Sequence, residues 1–240
     1  MHYSDQGVIC STTHLFWNPR YSYVRLRQIE HLLYRVLAFK NKFDKRYPVI
    51  MGGDFNLWPH GTDYSLLTER NFDRIEKHVF LTPANHYSKY VNHLIQPSRE
   101  VLEAEEVKKP QTDEEIAERY EKVERAYKSL AQLPMLDSIY RNYFEVDPSA
   151  KQTAKWHDKP MIEPPYTTFT PIAKLTLDYI FLFKSDWCLD DEFELEAESL
   201  LSIPDEKSLS VQTALPNDYL GSDHVSIACK FRLRPRRSSK

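Results

Sequence analysis

Three successive segments predict an α/β layered fold. Gly7 to Leu15 is a strand-like run, Tyr23 to about Phe43 carries Leu26, Ile29, Leu33, Val36 and Leu37 at helical spacing, and Pro48-Val49-Ile50-Met51-Gly52-Gly53 is a short apolar run. Strand, amphipathic helix and apolar strand in that order stack a helix on a sheet and display loops at strand ends. The 240 residues suit one domain, and 41% apolar content can furnish a core.

The first strand runs into Phe16-Trp17-Asn18-Pro19, where Asn-Pro marks a turn, so His14 lies near a strand end. Pro48 stops the helical pattern. The run that follows lacks polar alternation, which suits a strand covered on both faces, and Gly52-Gly53 ends it with Asp54 and Asn56 just beyond. From Arg99 to about Leu133 the chain turns strongly charged, yet Ile116, Tyr120, Val123, Tyr127 and Leu130 keep an apolar seam. That pattern predicts a surface helix packed on its own domain, with Asp113 as its cap after the break at Pro110. A partner-binding helix is the sharper alternative.

Pro164-Pro165 precedes Tyr166 to Thr170, and Leu175 to Phe183 reads as one alternating strand interrupted by Asp178, an acid that needs a partner or a task. Asp190 to Glu198 reads as a solvated loop or short helix. The loop Gly221-Ser222-Asp223-His224 leads into a last strand, Val225 to Phe231. The predicted organisation is one domain over residues 1–233 with a charged helical insertion at about 97–131, then a basic tail at 234–240.

A formal net charge of -3 argues against a protein that grips nucleic acid through a broad electropositive surface. No run approaches the roughly 18–20 apolar residues of a membrane helix, and Met1 to Asp5 lacks the features of a signal peptide. An intracellular address, cytoplasmic or nuclear, is expected. Cys10, Cys188 and Cys229 are odd in number and far apart, so buried thiols are expected rather than disulfides or a zinc cluster.

Phosphodiester hydrolysis needs a hard cation, a group that activates water, and donors for the transition-state phosphate. Asp54 suits water activation or metal binding, Asn56 donation to a phosphate oxygen, and His14 stabilisation of phosphate charge. His224 could donate to a nonbridging oxygen if Asp178 holds its ring, and Asp223 could reach the metal directly or through water. Mg²⁺ suits this oxygen-rich set better than zinc, with Mn²⁺ as an alternative. Each motif alone has a bland reading. An Asp-x-Asn after two glycines is commonly a turn, and a buried Asp178 is commonly just hydrogen-bonded. Their joint occurrence at strand ends is what points to a site.

Thr13-His14-Leu15, Gly53-Asp54-Phe55-Asn56, Leu177-Asp178-Tyr179-Ile180 and Ser222-Asp223-His224, in this order, resemble the endonuclease/exonuclease/phosphatase superfamily. His14 to Pro19 with Arg25 and Gln28, Pro165-Tyr166-Thr167 and Leu215-Pro216-Asn217 resemble its RNA-directed branch of deadenylases, nocturnin, Angel proteins and yeast Ngl-type exonucleases. The resemblance implies the C-terminal half of a two-sheet α/β sandwich with the site along one edge. It implies Mg²⁺-dependent 3′-to-5′ hydrolysis of RNA to nucleoside monophosphates, with Asp54 and Asn56 flanking the attacking water and phosphate. Asp178 would pair with His224, Asp223 would border the metal, and Pro19 would touch a substrate base.

The family places an Asn and a metal-binding Glu in an N-terminal half well before His14, so that half is an expected partner of this chain. Ala173-Lys174-Leu175 stands where deadenylases carry a base-stacking aromatic, which argues against a strict poly(A) preference. Two alternatives stand beside the exonuclease: a noncatalytic remnant or interaction module, and a phosphodiesterase acting on DNA, a phosphoinositide or a nucleotide.

Overall fold

The computed structural model describes residues 6–18, 21–43, 47–59, 61–70, 112–146, 155–156, 159–160 and 163–236. Pro19 and residues 97–111 of the expected insertion lie outside them. Strand β1 (Ile9–His14), helix α1 (Ser22–Lys40) and strand β2 (Val49–Asp54) follow the expected order, with short α2 (Thr62–Thr68) behind them. The charged segment supplies α3 (Asp113–Leu130), which is followed by β3 (Leu136–Ser138), a one-turn helix α4 (Tyr143–Val146) and two-residue strands β4 (Lys155–Trp156) and β5 (Lys159–Pro160). Next come β6 (Thr168–Phe169), β7 (Lys174–Leu175), β8 (Asp178–Phe183), β9 (Phe193–Leu200), α5 (Glu206–Leu209) and β10 (Cys229–Pro235).

The central sheet has the order β1-β2-β8-β3, with β1 parallel to β2 and the other pairings antiparallel. Helix α1 buries Leu26, Ile29, Leu33 and Val36 in a core shared with Val49, Met51 and the β8 residues Tyr179, Phe181 and Phe183. Removing a side chain such as Leu33 from water contributes about 1.5–3 kcal/mol. Between those β8 positions, Ile180 packs instead against a second core built on Tyr140, Tyr143, Tyr166, Phe169 and Leu215. Strand β8 is thus a wall between two apolar layers, which is why it alternates although nearly every residue in it is apolar.

Several expectations change. Strand β2 is buried at Val49 and Met51 but only partly at Ile50, so its two faces are not equally covered. The single strand expected over Leu175 to Phe183 is broken at Thr176-Leu177, and Asp178 begins β8 instead of interrupting it. Thr112, not Asp113, caps α3, through a capping box in which its side chain accepts from the Glu115 N–H and Glu115 reaches back to the Thr112 N–H. Helix α3 packs on its own domain through Val123, Ala126, Tyr127 and Leu130, while Ile116 and Tyr120 stay exposed.

The acidic stretch is a strand. Glu194, Glu196 and Glu198 alternate along β9 and form ion pairs with Arg236, Arg234, and Lys230 with Arg232, respectively. The last strand accordingly starts at Cys229 rather than Val225, and Arg234 and Pro235 of the expected tail pair within it. All three cysteines are free, but Cys10 is exposed and Cys229 half-buried, because only Cys188 points into a core. Among the described residues, no helix is long and apolar enough to cross a membrane.

Candidate active site

The strand register sets three residues in one row. His14 of β1 pairs with Asp54 of β2, and Asp54 pairs with Asp178 of β8. Directly opposed residues project from the same face of a sheet, so the imidazole and both carboxylates converge at one edge. Gly53 makes this row possible. Its φ is +139°, and a Cβ there would lie 2.1 Å from the Thr13 carbonyl oxygen, so only glycine lets β2 approach β1 so closely one residue before Asp54.

His224 reaches the row from the second layer. The Phe169 N–H donates to the Asp223 carbonyl at 2.9 Å and the Val225 N–H to the Thr167 carbonyl at 2.8 Å, clamping the Ser222–Val225 loop against β6. His224 Nδ1 then lies 2.7 Å from Asp178 Oδ2. Ligand atoms of Asp54, Asp178 and His224 all fall within 4.8 Å of one another. Asp223 is not in this group. Its side chain is exposed, and its carbonyl oxygen also accepts the Thr168 hydroxyl. The Asp223 carbonyl thus holds the loop through its backbone, while its carboxylate lies near enough to His224 to add to the raised His224 pKa.

The Asp54 side chain accepts the Asn56 backbone N–H at 2.8 Å, and Asn56 holds a left-handed φ of 48°. Burial is the main cause raising the Asp54 pKa, with the neighbouring Asp178 charge adding to it and the Asn56 N–H opposing it. One N–H of the Asn56 amide donates to the Leu15 carbonyl at 2.9 Å, which pins the loop after β1 to the loop after β2. An amide carries a second N–H donor. His14 is looser, its Nε2 3.4 Å from Asp54 Oδ2 and its side chain 72% exposed. The hydrogen bond with Asp178 is the main cause raising the His224 pKa, partly opposed by burial. Two carboxylates and an imidazole around one point have the donor chemistry for a hard divalent cation that retains water ligands, and Asp54 is the carboxylate not committed to a histidine at hydrogen-bond distance.

Residues 3–224 match the sequence profile of the Endonuclease/Exonuclease/phosphatase family. The chain belongs to this family. Its relatives in the endonuclease/exonuclease/phosphatase family include carbon catabolite repressor protein 4 homolog 4 of Arabidopsis thaliana, 27% identical over 95% of this chain and 38% of that protein. A probable RNA exonuclease of Schizosaccharomyces pombe is 26% identical over 95% of this chain and 50% of its own length. The crystal structure of ANGEL2, a 2′,3′-cyclic phosphatase, in complex with adenosine-2′,3′-vanadate is similar in fold, with a TM-score of 0.54, 22% identity, and coverage of 93% of this chain and 56% of that one. The chain thus spans about half the length of these family members or less.

Within this endonuclease/exonuclease/phosphatase site, sequence reasoning missed the work of Thr167. It is 1% exposed, and its hydroxyl donates to Asp178 Oδ2 at 2.6 Å. The signal was its place in Pro165-Tyr166-Thr167, but nothing local reveals that the hydroxyl points at an acid eleven residues on. Arg25 and Gln28 also gain definite tasks. Arg25, fully buried, pairs with Asp63 and donates to the Asn18 carbonyl at 2.7 Å, while Gln28 accepts the Phe16 N–H at 2.9 Å. Together they fasten the loop that follows His14.

Proposed function

We propose that this chain carries part of the active site of a divalent-metal-dependent phosphodiesterase acting on RNA, a 3′-to-5′ exoribonuclease that releases nucleoside monophosphates. The observation that carries this reading is the in-register row His14, Asp54, Asp178 completed by His224 within one cluster. Asp54, with a pKa raised by burial, orients the attacking water and takes its proton. Its carboxylate would also hold Mg²⁺, with Mn²⁺ as the alternative, and that ion when bound offsets charge on the phosphate. Asn56 turns its second amide N–H to a phosphate oxygen. His224, whose proton Asp178 stabilises, donates to a nonbridging oxygen as charge builds there.

The RNA assignment draws on the similarity to a probable RNA exonuclease over nearly the whole of this chain. The expected metal-binding Glu of an N-terminal half remains part of the reading, so the 240 residues alone should turn over poorly, and that half is the expected partner. The test incubates 3′-labelled RNA and Mg²⁺ with the chain alone and with that half restored. Release of nucleoside monophosphates by the restored protein, abolished by Asp54→Ala, is the expected result. No release from RNA under any condition sinks the reading. Parallel incubations with DNA, an inositol phosphate and RNA ending in a 2′,3′-cyclic phosphate would identify a different phosphodiesterase.

A further inference from the structure

The hydroxyl of Thr167 makes three hydrogen bonds. It accepts the backbone N–H of Leu177 and that of Asp178, both at 3.0 Å, and donates to Asp178 Oδ2 at 2.6 Å. A hydroxyl has one proton and two lone pairs. Two N–H groups, which can only donate, occupy both lone pairs, so the proton has one remaining direction, toward Asp178. Asp178 Oδ2 therefore accepts the Thr167 proton. His224 Nδ1 approaches the same oxygen at 2.7 Å, and a protonated Nδ1 matches an oxygen already used as an acceptor.

We infer that Thr167 is a positioning residue that fixes the tautomer and direction of His224, committing the Nδ1 proton to Asp178 and leaving Nε2 as the nitrogen that faces the substrate and donates once the ring is charged. The chain of donors runs from the backbone of Leu177 and Asp178 through the Thr167 hydroxyl to the carboxylate, which then orders the imidazole. Such control explains why a threonine, and not merely any small residue, lies 1% exposed beneath the Asp178–His224 pair. The surroundings are rigid. Segment Glu163–Thr167 is tied down by the Tyr64 hydroxyl on Glu163, by the Thr176 hydroxyl on the Pro164 carbonyl at 2.5 Å, and by the Tyr166 hydroxyl on the Pro204 carbonyl at 2.7 Å. The hydroxyl thus has little freedom to seek another acceptor.

Thr167→Val removes both the donor and the acceptor while keeping the branched shape, and takes their side-chain acceptor from two part-buried N–H groups. Thr167→Ser keeps the hydroxyl. The imidazole ¹⁵N spectrum of the histidine-labelled 240-residue chain, recorded where His224 is neutral, reports the tautomer directly. Wild type and T167S should show a single Nδ1–H tautomer, and T167V a mixture of both. An Nε2–H tautomer in wild type, or an unchanged spectrum in a folded T167V, overturns the inference. Thr167→Ala, which has less bulk, supplies the same comparison should T167V not fold. The functional consequence rests on the phosphodiesterase reading above. In the active protein, T167V should lose about 10–100-fold in kcat with KM little changed, and T167S should recover most of it. If no RNA is cleaved even by wild type, that reading fails while the ¹⁵N result still decides the role of Thr167.

Discussion

His224 and His14 each face a carboxylate at the end of a strand, yet the two pairs are built differently. His224 lies 2.7 Å from Asp178, its side chain 27% exposed, and that carboxylate is held from beneath by the Thr167 hydroxyl. His14 lies 3.4 Å from Asp54 with its side chain 72% exposed. The residue types are the same, and only the support differs. A histidine at hydrogen-bond distance from an acid that is itself held by a second donor has a defined tautomer and direction, whereas one on an exposed strand end keeps rotamer freedom. On the proposed phosphodiesterase reading, the two imidazoles take unequal shares of the work.

The largest effect expected is structural and falls on the looser side. The loop after His14 depends on Arg25, which is fully buried with Asp63 and reaches the Asn18 carbonyl. Arg25→Met would leave the Asp63 carboxylate buried without its cation, a loss of about 3–5 kcal/mol. Urea denaturation measures it. A loss below about 1 kcal/mol, the scale of an exposed pair, would mean that solvent reaches this site and that the loop is not anchored as described.

His224→Ala comes next. Removing the supported imidazole should lower kcat about 10²–10³-fold in the active protein, since a preorganised donor to developing charge is worth that much. Asp178→Asn should do nearly as much, and the double variant little more than either, because the two act as a unit. Single-turnover rates on labelled RNA would show this. A His224→Ala loss of tenfold or less would remove the catalytic meaning from the ordered pair.

Part of this arrangement was legible in the residues and part was not. Helix α1 and strands β1 and β2 follow from periodicity and punctuation, with boundaries shifted by a few residues, because the core-facing stripe is local information. Motif chemistry names His14, Asp54 and Asp178 one by one, but the register that aligns them in a row depends on long-range pairing. Strand β9 was misread because Glu194, Glu196 and Glu198 look like a solvated charge run until Lys230, Arg232 and Arg234 are seen opposite. The period-two spacing of those acids between Phe193, Leu195 and Ala197 was the available signal. Thr167 could not be found, since its importance lies in a direction of approach. Asp223 marks the same limit: its neighbour His224 enters the cluster, while Asp223 is exposed and stands outside it.

A third prediction sharpens the supported side through its anchor. Glu163 is fully buried, and burial pushes its pKa up to about 7, against lowering by hydrogen bonds including that from Tyr64. The folded state therefore holds this proton more tightly than the unfolded chain, whose carboxyl titrates near 4.5. Stability is greatest below the unfolded value and falls as pH rises through the folded one. At 1.36 kcal/mol per unit the loss is on the order of 3 kcal/mol. Glu163→Gln cannot ionise and should remove this part of the pH slope, so the variant gains on wild type in urea melts at about pH 8 relative to those near pH 4. Parallel slopes for the two proteins would show that Glu163 does not carry the titration.

The smallest effect belongs to His14, and it decides whether the comparison holds during turnover. At 3.4 Å from Asp54 and largely exposed, the ring contributes at most a screened attraction, worth about 0–1 kcal/mol. A transient contact with phosphate could add a little more, so His14→Ala should lower kcat only about three- to tenfold, which is less than about 1.4 kcal/mol. His14→Gln should sit between the two, because an amide can donate but carries no charge. Loops at an active site can close when substrate binds, and hydrogen bonds that are long in its absence can then tighten. A His14→Ala loss as large as that of His224→Ala would mean that His14 gains its support from the substrate, and that the inequality seen here describes only the free protein.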